Sequence, residues 1–397
     1  MSEAYCTLHP RNVLILFSWI VCYVWTRLQV CWLLNFCRNA FVPRNATRYL
    51  SNGQKRTVVV IGASSGIGKA LSLRLAKHED VTVVMACRCR ERGLRAARDI
   101  LQVVPGACLE VWHLDLSCPD SVLSFSTTVT CAQSSLGFET TSDNTLRPFS
   151  ELLQNRSSRP GCLRWHPDGT ASKQQVPPVL HVVLCAAVLP SWERHTRSGL
   201  EEAFAVNFVG SFAVALCLLP CLLRSASSTG ATASLVAAGS FTVHAASRRA
   251  AEALTSPAAA PSPYVPAQRY MHTKLLLGLA VSHLGCTYGL AGRVRCAVVD
   301  PGAVDTDLVR EWPAWLRWLF RNGLGGLGLL RAPLEAAAAF EAACFRDSVC
   351  PYLAAGGGGA VALDAPPQLR GSEVARERVW AAATRIAHSF LLSRAAP

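Results

Sequence analysis

Apolar positions along this chain fall into two kinds of run. Short, unbroken, β-branched runs occupy 57–61, 81–87, 109–114, 181–185, 234–238 and 294–299, the pattern of strands buried on both faces. Stretches of helical period lie between them, first at 67–77 and 91–103. Strands alternating with helices predict an α/β fold, a doubly wound parallel sheet of the Rossmann type. The N-terminal run differs. Residues 13–25 are apolar except for Ser18, and the run resumes at 30–34 after Arg27. The uninterrupted part is shorter than the ~20 residues of a bilayer span, and counting through Arg27 supplies the length. The segment reads as a membrane-anchor helix, with a cleaved signal sequence as the rival. Arg38, Arg44, Arg48, Lys55 and Arg56 follow it, and the positive-inside rule then puts the remainder on the cytosolic side.

The same pattern sets domain limits: an anchor and basic linker at 1–50, a catalytic domain at 51–350, and a C-terminal extension at 351–397 with an amphipathic helix at 373–392. Within the domain, 130–178 is polar and aperiodic and reads as a surface insertion. The stretch 245–266, rich in Ala, Pro and Ser, reads as a loop. An aromatic-rich segment, Trp312 to Phe320 with Arg317 inside it, is read as a core helix or an interfacial helix.

Composition narrows the classes. Hydrophobic residues are 51% and charged residues 16% of the chain, which excludes a disordered protein. The net charge of +13 comes from scattered arginines; without a basic run interleaved with aromatics, nucleic acid is not the expected partner, and anionic lipid is. The 17 cysteines form neither a zinc pattern nor a disulfide framework, so no metal is expected.

Two motifs carry chemistry. Gly62-Ala63-Ser64-Ser65-Gly66-Ile67-Gly68-Lys69 follows a strand and opens a helix, the arrangement that cradles a pyrophosphate on backbone N–H groups. Arg88 closes the second strand where an acid would accept the ribose of NAD; an arginine there, with help from Lys69, favours NADP(H). Tyr270 and Lys274 are four apart and share one helix face, and an adjacent ammonium is expected to lower the phenol pKa towards neutrality.

These residues, together with His113-Leu114-Asp115-Leu116-Ser117, the stretch from Gly199 to Asn207, and Asp300-Pro301-Gly302-Ala303-Val304-Asp305-Thr306, resemble the short-chain dehydrogenase/reductase family, in particular its membrane-anchored, retinol-dehydrogenase-like branch. The resemblance implies an NADP(H)-dependent oxidoreductase that interconverts an alcohol and a carbonyl on a lipophilic molecule, anchored in the endoplasmic reticulum membrane. It implies roles as well: Tyr270 as general acid/base, Lys274 as its modulator and ribose ligand, Ser240 as donor to the substrate oxygen, and Asn207 as holder of a relay water. Asp115, Leu116 and Ala187 would border the cofactor, and Pro301, Gly302, Val304 and Thr306 would close over it. The family also forms dimers or tetramers. The chain departs from the family pattern where Cys185-Ala186-Ala187-Val188 replaces Asn-Asn-Ala-Gly, and where Ile61 replaces Thr. A nucleotide-binding or scaffold protein that lost turnover is the alternative these departures support.

Overall fold

The computed structural model describes residues 54–132, 146–154, 162–172, 175–256, 264–288, 293–326, 329–345, 352–356, 359–362, 365–370 and 373–393. The anchor expected at 13–36 lies outside the described residues. The elements, in chain order, are β1 (Arg56–Ile61), α1 (Gly66–Leu75), β2 (Val81–Cys87), α2 (Arg90–Val103), β3 (Cys108–His113), α3 (Pro119–Cys131), α4 (Arg147–Gln154), β4 (Arg164–Trp165) and β5 (Val179–Leu184). Helix α5 (Glu202–Thr229), β6 (Ala233–Ala238), α6 (Arg248–Ala253), α7 (Pro266–Tyr288), β7 (Val294–Asp300), β8 (Ala303–Val304), α8 (Ala314–Gly326) and β9 (Leu330–Arg331) follow. The series ends with α9 (Pro333–Phe345), β10 (Tyr352–Gly356), β11 (Gly359–Ala362), α10 (Pro367–Arg370) and α11 (Glu373–Leu392).

Among the described residues, nine strands form one sheet in the order β11-β10-β7-β6-β5-β1-β2-β3-β4. The seven from β10 to β3 are parallel, and β4 and β11 pair antiparallel at the two margins. Strand order reverses between β1 and β5, and a crevice at the carboxyl ends of strands at such a reversal is where ligands bind in this class of sheet. Parallel strands need helices on both faces, and the buried side chains accordingly form two cores, one on each side. Val58, Val60, Val83 and Met85 point to one core, and Val59, Ile61, Val84 and Ala86 to the other, the period-two alternation of a pleated strand.

The sheet runs past the limit at 350 read from the sequence: β10 pairs with β7, and α11 packs on α7, α3 and α5. The segment read as a surface insertion contributes α4 and the edge strand β4, held by Arg164 on Glu110 at 2.9 Å and over the Trp112 ring at 4.3 Å. The segment read as a loop at 245–266 contains α6. Helix α5 is long and apolar enough to cross a membrane, but 89% of its apolar window is buried inside the protein. It is a core helix.

One buried histidine makes stability depend on pH. His181 on β5 is 2% exposed, shares a 2.8 Å hydrogen bond between Nδ1 and Ser234 Oγ, and meets Phe345 edge-on at 5.0 Å. Burial, with Arg56 and Arg295 nearby, lowers its pKa from 6.5 to about 3. The unfolded chain therefore binds a proton that the folded chain refuses, so stability is full above pH 6.5 and is lost as pH falls towards 3. Urea unfolding at pH 7.5 and pH 5 is expected to show a loss of about 2 kcal/mol from this residue. His181→Asn should flatten that difference; an equal loss in the variant would assign it elsewhere.

Candidate functional site

The crevice is built from strand ends. β1 delivers the glycine turn. Gly62 takes φ +88° and Gly66 φ +54°, conformations that glycine adopts without strain. A Cβ on Gly68 would stand 2.3 Å from the Gly62 carbonyl oxygen, so the close packing of turn and helix needs its absence. Ser65 at the N-terminus of α1 makes no side-chain cap, and the first turn carries no acid. Its N–H groups and the positive end of the helix dipole are thus disposed towards an anion.

Around this turn lies a cavity of about 190 Å³, lined by Gly62, Ser64, Ser65, Gly66, Ile67 and Gly68, by Arg88, Asp115, Leu116 and Ala187, and by Tyr270, Lys274, Pro301 and Thr306. All were expected at a cofactor site. Gly302 and Val304 instead line a second cavity. Lys69 lines neither; its ammonium is held by Asp99 of α2 at 2.6 Å, a nearer partner than the crevice. The sequence reading missed Arg92, Asp307 and Arg310, which also line the first cavity. Arg92 was hidden in an arginine-rich stretch, and only its position in the first turn of α2, one turn beyond Arg88, sets it apart.

Asn207 is placed by a local irregularity. Glu201 caps α5, accepting from the N–H groups of Ala203 and Phe204 at 2.8 Å each. The helix then widens into a π turn at Ala205–Gly210, a feature frequent at functional sites. Fully buried there, the Asn207 side chain accepts from the Val188 N–H at 2.8 Å and donates to the Val188 carbonyl at 2.9 Å. This reciprocal clamp reads only the backbone of residue 188. It fixes the segment after β5 although the family's amides are missing from it.

Ser240 ends β6 and caps the next turn. Its Oγ accepts from Thr242 N at 3.3 Å and Thr242 Oγ1 at 2.9 Å, and it hydrogen-bonds the Tyr270 hydroxyl. From one turn further along α7, Lys274 donates to the Ala238 carbonyl at 3.0 Å, with Nζ 5.9 Å from the Tyr270 ring centroid. Burial dominates both titrations: it lowers Lys274 to about 8 and pushes the Tyr270 phenol up, Asp300 adding in the same direction and the Ser240 bond opposing. The pull towards neutrality expected from the neighbouring ammonium is outweighed, because a desolvated phenolate costs more than a cation at that distance returns. Asp300 itself is tied to the Gly302 N–H at 2.9 Å and to Tyr352 at 3.4 Å.

Beyond Tyr270, the second cavity, about 110 Å³, is walled by Leu189, Phe241, Leu308, Val309, Trp312, Phe320 and Leu324. Tyr270, Ile67, Pro301, Thr306 and Leu308 line both cavities. The phenol therefore stands at the border between a polar, cationic crevice and an apolar one.

No family model matches the chain. Among characterised proteins it is 28% identical over 339 residues to human "Dehydrogenase/reductase SDR family member 13", covering 85% of this chain and 74% of that protein. It is 34% identical over 160 residues to human "Polyprenol dehydrogenase", covering 40% of this chain and 46% of that one. An uncharacterized protein from Mycobacterium paratuberculosis shares the fold at a TM-score of 0.55 and 19% identity, covering 87% of this chain and 98% of its own. Sheet topology and relatives support one class, an oxidoreductase of the dehydrogenase/reductase kind. Over most of its length the chain is similar to members of the short-chain dehydrogenase/reductase family.

Proposed function

We propose that the protein is an NADP(H)-dependent enzyme interconverting an alcohol and a carbonyl on a lipophilic substrate of the retinoid, steroid, polyprenol or fatty-aldehyde type. The observation that carries this reading is the position of Tyr270, which lines both the crevice with its arginines and glycine turn and the apolar cavity. The crevice fits a phosphorylated dinucleotide. Its uncapped helix terminus suits a pyrophosphate, and Arg88 and Arg92 supply the planar donors that a 2′-phosphate needs. When bound, the nicotinamide supplies or accepts the hydride.

The chain's own residues do the rest. Ser240 and Tyr270 point hydroxyls at one oxygen of the substrate, and Tyr270 gives it a proton in reduction or takes one in oxidation. Lys274 keeps positive charge beside the phenol at neutral pH, and Asn207 holds the segment from Cys185 to Val188 that borders the crevice. The aromatic wall of Trp312 and Phe320, edge to face at 5.8 Å, excludes water and favours an apolar substrate. The N-terminal apolar run would anchor the enzyme in a membrane such as the endoplasmic reticulum, where such substrates dissolve.

The test is a fluorescence titration of the full chain in detergent with NADPH and NADH. Each arginine–phosphate contact is a charge-assisted pair of about 1.5–3 kcal/mol. NADPH is therefore expected to bind at least about tenfold more tightly than NADH, and Arg88→Ala with Arg92→Ala should abolish the preference while leaving NADH affinity unchanged. Equal affinities in the wild-type protein would sink the NADP(H) assignment. A folded protein that binds neither nucleotide would favour the scaffold reading that the changed Cys185–Val188 segment supports.

A further inference from the structure

The described residues hold three exposed tryptophans, Trp192 (58%), Trp315 (58%) and Trp318 (65%), two on α8 and one on a loop tied to the residues just before that helix. Trp315, Trp318 and Leu319, the last 46% exposed, are spaced i, i+3, i+4 on α8 and so share a face. Trp192 joins them through its loop: Ser191 Oγ donates to the Glu311 carbonyl at 3.1 Å, and Arg194, whose guanidinium lies over the Trp192 ring, reaches the Glu311 carboxylate at 2.9 Å. Exposing two indoles and a leucine on one helix face, with a third indole on the neighbouring loop, costs solubility, and clustered exposed apolar side chains mark an interaction site.

We infer that this cluster is a membrane-docking face, lying in the headgroup region of a bilayer that carries anionic lipid. Indoles favour that depth because an apolar body and a polar N–H suit the two sides of the interface. Helix α8 carries no acidic residue; Arg321 lies beside Trp318 and is paired with Asp305 at 2.8 Å, while the chain as a whole has a net charge of +13, which anionic headgroups complement. A second copy of the chain fits less well, since a two-fold contact through α8 would set the arginines of one copy against those of the other. The opposite face of the helix also matters. Phe320 and Leu324 on that side wall the apolar cavity, so a single helix separates lipid from pocket. A bilayer-dissolved substrate could then reach Tyr270 beside α8 without crossing water. That last step rests on the function proposed above; the docking does not.

The experiment uses the full chain reconstituted into phosphatidylcholine vesicles containing roughly one-fifth phosphatidylserine. A photo-crosslinking side chain is introduced as Trp315→benzoylphenylalanine or Trp318→benzoylphenylalanine, with Leu163→benzoylphenylalanine as control, because Leu163 is 64% exposed beside β4. Lipid adducts read by mass spectrometry are expected at 315 and 318 at about tenfold the yield at 163. In a second arm, Trp315→Ser with Trp318→Ser and the probe at Leu319 should lose the adduct. Equal yields at all positions would overturn the proposal, as would adducts to a second protein chain instead of lipid. No turnover is needed, so an inactive enzyme that docks and an active enzyme that does not are told apart.

Discussion

Tyr270→Phe is expected to lower turnover of a lipophilic carbonyl by about 10²–10⁴-fold, the range for removing a positioned general acid, with NADPH affinity held within about twofold. The ring is buried at 6% exposure, and Phe preserves its packing, so the fold should survive. What is lost is the hydroxyl and its bond to Ser240, whose oxygen keeps Thr242 as a partner. The raised pKa gives a direction to the chemistry: at neutral pH the phenol is protonated and set to donate, so carbonyl reduction needs no prior ionisation. Alcohol oxidation needs the phenolate and should accelerate as pH rises. Single-turnover NADPH fluorescence followed against pH reads both, its loss reporting reduction and its gain reporting oxidation. A Phe variant that turns over at the wild-type rate would remove Tyr270 from the mechanism.

Gly210→Ala should be among the most destabilising single-methyl additions available. A Cβ there would lie 2.0 Å from the Leu116 carbonyl oxygen and 3.0 Å from its Cβ. The obstacle is backbone, so no side chain can swing aside, and α5 must back away from the segment after β3. Overpacking of this kind costs about 1–3 kcal/mol or more, which lowers the melting temperature by several degrees, about 2–4 °C per kcal/mol in a mid-sized domain. Because Leu116 also borders the crevice proposed to hold the cofactor, NADPH should rescue the variant less than it stabilises the wild type. Gly325→Ala on α8, with nothing within 4 Å of the added carbon, is the control and should melt like the wild type or slightly higher. Equal melting of the Gly210 variant would mean the contact relaxes freely.

The sheet was legible because its strands are buried on both faces and therefore read as unbroken apolar runs. Thr57 to Ile61 needs no neighbour to be recognised. The glycine turn and the Tyr270/Lys274 spacing are equally local. Other features depend on distance or environment. The margins β4 and β11 lie in segments whose composition is that of loops, and only pairing with β3 and β10 makes them strands. The clamp of Asn207 on Val188 depends on a π turn that no hydrophobic period announces. Lys69 was read towards the cofactor because Asp99, 30 residues on, is placed by helix packing. The direction of the Tyr270 shift requires knowing that Lys274 is spent on a carbonyl and that Asp300 is buried nearby. Sequence shows which groups are present; the balance between them is a property of burial.

The two antiparallel margins have a consequence for how copies of this chain meet. An open parallel edge is a row of unpaired N–H and C=O groups on which another polypeptide can grow. Here the outermost strands are β4, two residues long, and β11, four residues long, too short to template a continuous ladder. Among the described residues, orderly assembly is thereby left to helical faces. A chain with 51% hydrophobic residues thus ends its sheet, among the described residues, on two short antiparallel strands rather than on a long parallel one.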